Sequence, residues 1–206
     1  MDTLVKTAEP PSTGLAARKK QRTRQRLAEA AAELFYERGY DATTIDDIAA
    51  AVDVSPRTFY RYFPTKEDLV VAIGETSIES FLAALGARPP EEPLLAAVGA
   101  AVDDALAPGW VDTSRVRSFM ALIRDTPAFR ARWVEEAYDN RHRLAAVIAG
   151  RTDGDPNGLR NLLIAGAISM AINTGVQCWA DDDAEPGPGD FVHRALAELA
   201  LPLLPA

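Results

Sequence analysis

Wherever apolar residues cluster in this chain they recur at three- and four-residue steps, and no segment alternates in the way a half-buried strand requires. Leu27, Ala30, Ala31, Leu34 and Phe35 set this rhythm first, and the spacing predicts a helix over 20–38 with Gly39 as its stop. Thr43 and Thr44 offer an N-cap, and Ile45, Ile48, Ala49 and Val52 follow on one face of a short second helix. Asp53, Val54 and Ser55 make a three-residue break. Pro56 suits the first position of a third short helix over 56–62, because its missing N–H would have no partner there. Pro64 stops that helix, and Thr65 with Asp68 resembles a capping box for a long fourth helix over 66–85. Further helices are predicted at 94–107, 114–124, 128–149, 159–179 and 190–203, separated by clusters of Pro, Gly and Asp. The fold class expected is all-α.

Charge divides the chain. The formal net charge is −8, from 22 basic and 30 acidic residues. Residues 1–66 nevertheless hold 11 Lys and Arg against 9 Asp and Glu, and the remainder holds 11 against 21. Such asymmetry suggests a basic module joined to an acidic one. Arg18, Lys19, Lys20, Arg22, Arg24 and Arg26 form a run with no acid among them, suited to a sequence-independent attraction for phosphate. Residues 1–17 lack the basic start and apolar run of a secretory signal and read as a flexible tail.

Several function classes are poorly served. There is no Gly-rich phosphate loop, no G-x-S-x-G and no H-E-x-x-H, so an enzyme is not expected and no catalytic residue is assigned. Two His and one Cys are too few for an ordinary structural zinc site, so neither a metal nor another cofactor is expected. His142 and His193 lie in polar surroundings and read as surface residues. Cys178, beside Trp179, reads as buried, and a lone Cys fits a reducing cytoplasm. Asp181, Asp182 and Asp183 read as a solvated turn. The longest nearly continuous apolar stretch, 162–172, is shorter than a membrane span, and no membrane partner is expected.

The segment from Thr43 to Tyr62 has the layout of a helix-turn-helix, whose second helix can enter the DNA major groove. Its outer face would carry Arg57, Thr58, Tyr60, Arg61 and Tyr62. Arg can pair bidentately with guanine or hold a phosphate, and Thr and Tyr hydroxyls suit phosphate oxygens. Lys66 adds a charge near a helix N-terminus. Ile45, Ile48, Val52, Phe59 and Phe63 read as core.

The stretch TTIDDIAAAVDVSPRTFYRYFPTKEDLV resembles the DNA-binding domain of TetR-family transcription regulators, and RLAEAAAELFYERGYDATT before it resembles that family's first helix. The resemblance implies that Thr44 meets phosphate at the start of the second helix. It places Pro56, Arg57, Thr58 and Arg61 at the major groove, with Ser55 capping their helix at the interface. Tyr60 and Lys66 match phosphate-binding positions, and Tyr62 stands where the family often has His. Asp53 occupies a turn position at which the family usually has Gly.

The domain organisation expected is a tail over 1–17, a helix-turn-helix domain over 18–66 and a ligand-binding and dimerisation domain over 67–206. The last two helices are the expected dimer surface. Ala165, Gly166, Ala167 and Ala171 permit close approach in one, and Phe191, Ala195, Leu196, Leu199 and Leu203 give the other an apolar stripe. Candidate ligand contacts are Phe119, Met120, Ile123, Trp133, Tyr138, Met170, Asn173 and Gln177, with Trp110 and Trp179 as further large side chains in this half. The segment FRARWVEEAYDNRHRLAAVIAG is similar to the C-terminal domains of TetR-like regulators that bind acyl-CoA-type effectors, which implies an apolar or acyl ligand. The expected function is a homodimeric repressor that binds a palindromic DNA operator and is released by a small effector. A helical ligand-sequestering protein with a vestigial DNA head, and a ligand-dependent activator, are the alternatives.

Overall fold

The computed structural model describes residues 14–106, 112–152, 154–182 and 187–199. These residues form nine helices and no strand: α1 (Leu15–Arg38), α2 (Ile45–Ala51), α3 (Pro56–Tyr60), α4 (Leu69–Ala87), α5 (Leu94–Ala105), α6 (Thr113–Asp125), α7 (Pro127–Thr152), α8 (Leu159–Asp181) and α9 (Pro188–Leu199). Trp110, Asp183 and Leu203 lie outside the described residues.

The first helix starts at Leu15, five residues before the periodicity predicts, so 15–17 of the expected tail are helical. Apolar periodicity does not register this turn, but Ala, Arg and Lys are all strong helix formers. Gly39 ends the helix with φ 81°, a conformation that any side chain would strain. The third helix is shorter than predicted. Its end tightens as the Arg61 and Tyr62 amides donate to the carbonyls three residues back, Thr58 and Phe59. The fourth begins late for a similar reason. Asp68 accepts the Thr65 amide (3.0 Å), as a capping box would, while Leu69 and Val70 bond three residues back before regular helix sets in.

The first three helices close on Leu27, Ala31, Leu34, Ile48, Val52, Phe59 and Phe63, all buried. The fourth bridges the halves: Leu69 and Val70 anchor one end and Leu85 the other, each fully buried. Phe129, Leu144, Ala145 and Ile148 put α7 inside the body, between α4 and α8. The last helix packs on α8 and α5. At Gly175 a Cβ would stand 2.7 Å from the Val192 backbone, so that crossing of α8 and α9 needs glycine.

Two arginines tie chain turns from a distance. Arg151 on α7 donates to the carbonyls of Leu85, Arg88, Pro89 and Glu92, holding the α4–α5 connection. Arg117 on α6 donates to the carbonyls of Trp179 and Ala180 and to that of Asp182, and stacks over the Trp179 ring at 4.1 Å. It thereby satisfies carbonyls that the end of α8 would leave unpaired.

Two expectations are corrected, and the run-length reading of membrane spans is refined. Cys178 is exposed, not buried, because the helical turn that hides Trp179 directs its neighbour outward. Asp181 is no free member of a solvated turn: it pairs with Arg124 and accepts from Gln177. Finally, α4 and α8 are long and apolar enough to cross a bilayer by length and composition, with mean hydropathy 1.5 and 1.4 over their best windows. An uninterrupted-run criterion misses them because polar residues are scattered along both. In this bundle each turns one face inward, through Val70 and Leu85 or Ile168 and Ala171.

Candidate nucleic-acid interface

The geometry starts from two capped helix ends. Thr44 caps α2: its hydroxyl accepts from the Asp47 amide (3.1 Å), and the Asp47 carboxylate accepts from the Thr44 amide and hydroxyl (2.9 and 2.6 Å). These bonds hold the exposed Asp47 carboxyl below the usual carboxylate range. Ser55 caps α3 by accepting from the Thr58 amide (3.1 Å), with Pro56 next in line. Between them the chain turns at Asp53, the only non-Gly residue with positive φ among the described residues (58°). The Asp53 amide bonds to Ala50 and the Val54 amide to Ala49, the paired bonds of a left-handed helix terminus. A turn position usually given to Gly is therefore filled by a residue that tolerates this conformation.

This frame leaves Pro56, Arg57, Tyr60 and Arg61 exposed while Phe59 is fully buried behind them. Thr58 is half-buried and its hydroxyl lies 2.9 Å from that of Ser55. Tyr62 has its ring against the core and its hydroxyl near Arg61, whose Nη2 lies at 3.5 Å. Burial would raise the phenol pKa, but Arg61, Thr23 and Lys20 outweigh it and hold the group below its ordinary value. The start of α1 thus borders the α3 face.

The upstream basic run divides in two. Arg18, Lys19, Lys20 and Arg22 are exposed. Arg24 instead pairs with Glu75 of α4 and lies over the Phe63 ring at 5.4 Å, and Arg26 donates to the Val52 carbonyl at 3.2 Å. Two of the six charges are engaged in holding the head together, a role that local sequence cannot reveal.

Lys66 is engaged as well. Its ammonium donates to the Tyr40 and Thr43 carbonyls (2.7 and 2.8 Å) and stands 3.7 Å from the Tyr40 ring centroid. Two of its three N–H bonds hold the turn that presents Thr44, and burial lowers its pKa. The Tyr40 hydroxyl donates to Glu67, and burial followed by that carboxylate drives the phenol pKa upward. Asp68 accepts from Arg132 of α7 at 3.0 Å. Phe129, one turn earlier on α7, meets Tyr40 and Phe35 edge-on, with centroids 4.7 and 5.6 Å apart. The start of α7 therefore abuts the segment that carries Lys66 and Thr44.

The candidate ligand residues are not brought together. Trp133 and Asn173 line a cavity of about 100 Å³ between α4, α7 and α8. Phe119 meets the Trp133 ring edge-on at 5.5 Å but lines a separate, larger cleft beside α1. Met120 and Ile123 are core and line neither. Tyr138 and Met170 are 61% and 68% exposed, so they contribute to an outer face instead. Gln177 donates to Asp181. Helical spacing put Met170, Asn173 and Gln177 near one face without showing that the face looks outward.

An N-capped helix-turn-helix set before an all-helical body defines the class of a DNA-binding regulator. The model "Bacterial regulatory proteins, tetR family" matches residues 27–73, and the model "MftR C-terminal domain" matches residues 92–204. The HTH-type transcriptional regulator TcmR of Streptomyces glaucescens is 39% identical over 161 residues, covering 75% of this chain and 71% of that protein. Among solved structures, Thermus thermophilus FadR, a TetR-family repressor in complex with lauroyl-CoA, is similar with TM-score 0.57 and 20% identity, covering 89% of this chain and 96% of that one. The multidrug binding protein EbrR complexed with imidazole is similar with TM-score 0.56 and 24% identity, with the same coverage of 89% and 96%. The chain belongs to the TetR family of transcriptional regulators, which are DNA-binding proteins and not enzymes.

Proposed function

We propose that this regulator is a homodimeric repressor that binds a palindromic DNA operator and is released by a small apolar effector. The observation that carries the reading is the α3 face: Arg57, Tyr60 and Arg61 project from a helix whose opposite side is sealed by Phe59. A five-residue helix capped by Ser55 is held rigidly enough to offer those side chains to base edges and phosphates together. Thr44, Ser55, Pro56, Thr58 and Tyr62 frame the contact. Lys66 acts in it mainly by fixing the turn before Thr44, with one N–H left for a phosphate. Residues 18–66 form the reading head and residues from 67 onward the effector and dimer body.

Dimerisation is supported by α8. Leu159, Leu163 and Met170 lie on one face of it and are 75%, 63% and 68% exposed. A large apolar stripe of this kind marks an interaction surface. On α9, Val192 and Leu196 face inward, while Phe191, Ala195 and Leu199 are half-exposed. Two such faces would pack across a two-fold axis and set two α3 helices on successive turns of DNA.

The effector reading is supported by the small cavity at Trp133 and Asn173. Its walls are mostly apolar, with Asn140, Ser169 and Asn173 as neutral polar guides and Glu136, which accepts from Asn140, at one side. At about 100 Å³ it must widen to admit an acyl chain. The lauroyl-CoA bound by the Thermus thermophilus relative supports that chemical class.

Selection of bound duplexes from a random DNA library, using purified protein at stated salt, tests the reading. An enriched inverted repeat is expected, with Arg57→Ala weakening it by about 1–3 kcal/mol and relaxing one base position in each half-site. Failure to enrich any sequence, with and without acyl ligands, would overturn it.

A further inference from the structure

A cleft of about 760 Å³ opens between α1, the 40–42 turn, α4 and α6. That volume lies in the range of drug-sized ligand sites. It exists because small side chains stand where larger ones would fill it: Ala28 and Ala32 on α1, Ala72 on α4 and Ala121 on α6. Aromatic rings line it, with Phe35 and Phe119 deeper and Tyr36, 55% exposed, on the outer side of α1. One ion pair crosses it, Arg115 to Glu33 at 2.7 Å, between side chains that are 62% and 47% exposed. A pair so exposed contributes little and parts easily.

The charge around the cleft is unbalanced. Glu29, Glu33, Asp41 and Asp125 face it against Arg38 and Arg115. Arg38 has Asp47 at 3.8 Å, Arg115 has Glu33 and Asp112, and Asp125 is paired with Arg124 at 2.8 Å, so the surplus negative charge of the cleft rests on Glu29 and Asp41. Among the described residues, Glu29 accepts the neutral amide proton of Gln25. An anion entering here would meet excess carboxylate. A neutral ligand would leave those carboxylates unused. A cation with flat apolar groups would match both the charge and the ring faces.

We infer that this cleft is a binding site for lipophilic aromatic cations, separate from the cavity at Trp133 and Asn173. It does not depend on the operator reading above. Titration calorimetry of the full chain with tetraphenylphosphonium tests it, with tetraphenylborate as the anion of the same shape. Saturable binding of one phosphonium per chain is expected, with no matching uptake of the borate. Ala32→Phe and Ala121→Phe fill the cleft from opposite walls, and either should abolish binding while circular dichroism shows a folded chain. Replacing Glu29 by Gln together with Asp41 by Asn should weaken binding about tenfold or more. Equal binding of the borate overturns the charge assignment. Phosphonium binding that survives both filled variants but falls in Asn173→Phe puts the cation in the other cavity and overturns the site, leaving the proposed function standing.

Discussion

At the residue scale, Asp53 and Lys66 show how single side chains hold the frame of the helix-turn-helix. Asp53 adopts φ 58° in the turn between the two short helices. A Cβ in this region costs up to about 1–2 kcal/mol, less for Asp than for most residues. Asp53→Gly should therefore stabilise the protein by about 0.5 kcal/mol in urea denaturation, whereas Asp53→Val should destabilise it. Lys66 holds the carbonyls of Tyr40 and Thr43. Charged hydrogen bonds of this kind contribute about 1.5–3 kcal/mol, so Lys66→Ala should lower stability measurably as well as weaken DNA binding. Lys20 is exposed near Tyr62. Lys20→Ala should leave stability within about 0.5 kcal/mol, and should reduce the slope of log affinity against log salt by about 1 if Lys20 meets a phosphate. Parallel denaturation and salt titrations separate the two lysines. The run of basic residues was legible in the sequence, but the structural engagement of Arg24, Arg26 and Lys66 was not. Each of their partners lies 23 or more positions away along the chain.

At the element scale, the junction between head and body is built from the start of α4 and the start of α7. Asp68 accepts from Thr65 and from Arg132. Burial alone would raise its carboxyl pKa, but Arg132 and Thr65 outweigh it, and the group is held below the ordinary carboxylate value. A carboxyl depressed in the folded state adds stability that is complete above its unfolded pKa, about 3.9, and is lost as pH falls through the folded value. Thermal melts should accordingly show acid destabilisation beginning near pH 4, and Asp68→Asn should remove part of that slope while lowering stability at pH 7. An unchanged acid slope in the variant would show that Asp68 does not carry this linkage. The same junction explains where sequence boundaries slipped. Asp68 accepts from the Thr65 amide and hydroxyl, one half of the expected capping box, yet tight three-residue bonds precede α4 and delay its regular part to Leu69.

At the scale of the whole molecule, the outer face of α8 and the interdomain cleft are the features that a helical pattern alone does not locate. Leu163 is 63% exposed on that face. Leu163→Arg should convert a dimer to monomers in sedimentation velocity and reduce operator affinity, with the melting of the chain little changed, because no core contact is removed. A dimer that persists would move the interface elsewhere. The helical class was legible in apolar spacing, caps and Pro or Gly stops, which are local and leave no pattern a sheet could use. The helix-turn-helix was legible for the same reason, since its caps, turn and apolar steps lie between Thr43 and Phe63, although Leu27, Ala31 and Leu34 of α1 complete its core and Phe129 of α7 packs on Tyr40 beside it. Which face of each body helix is outside, which arginines hold carbonyls and where space remains all depend on packing between elements distant in the chain. Met170 and Asn173 sit three residues apart on α8, yet one is 68% exposed and the other lines a cavity. That difference is set by the helices packed against α8, and no spacing along a single helix carries it.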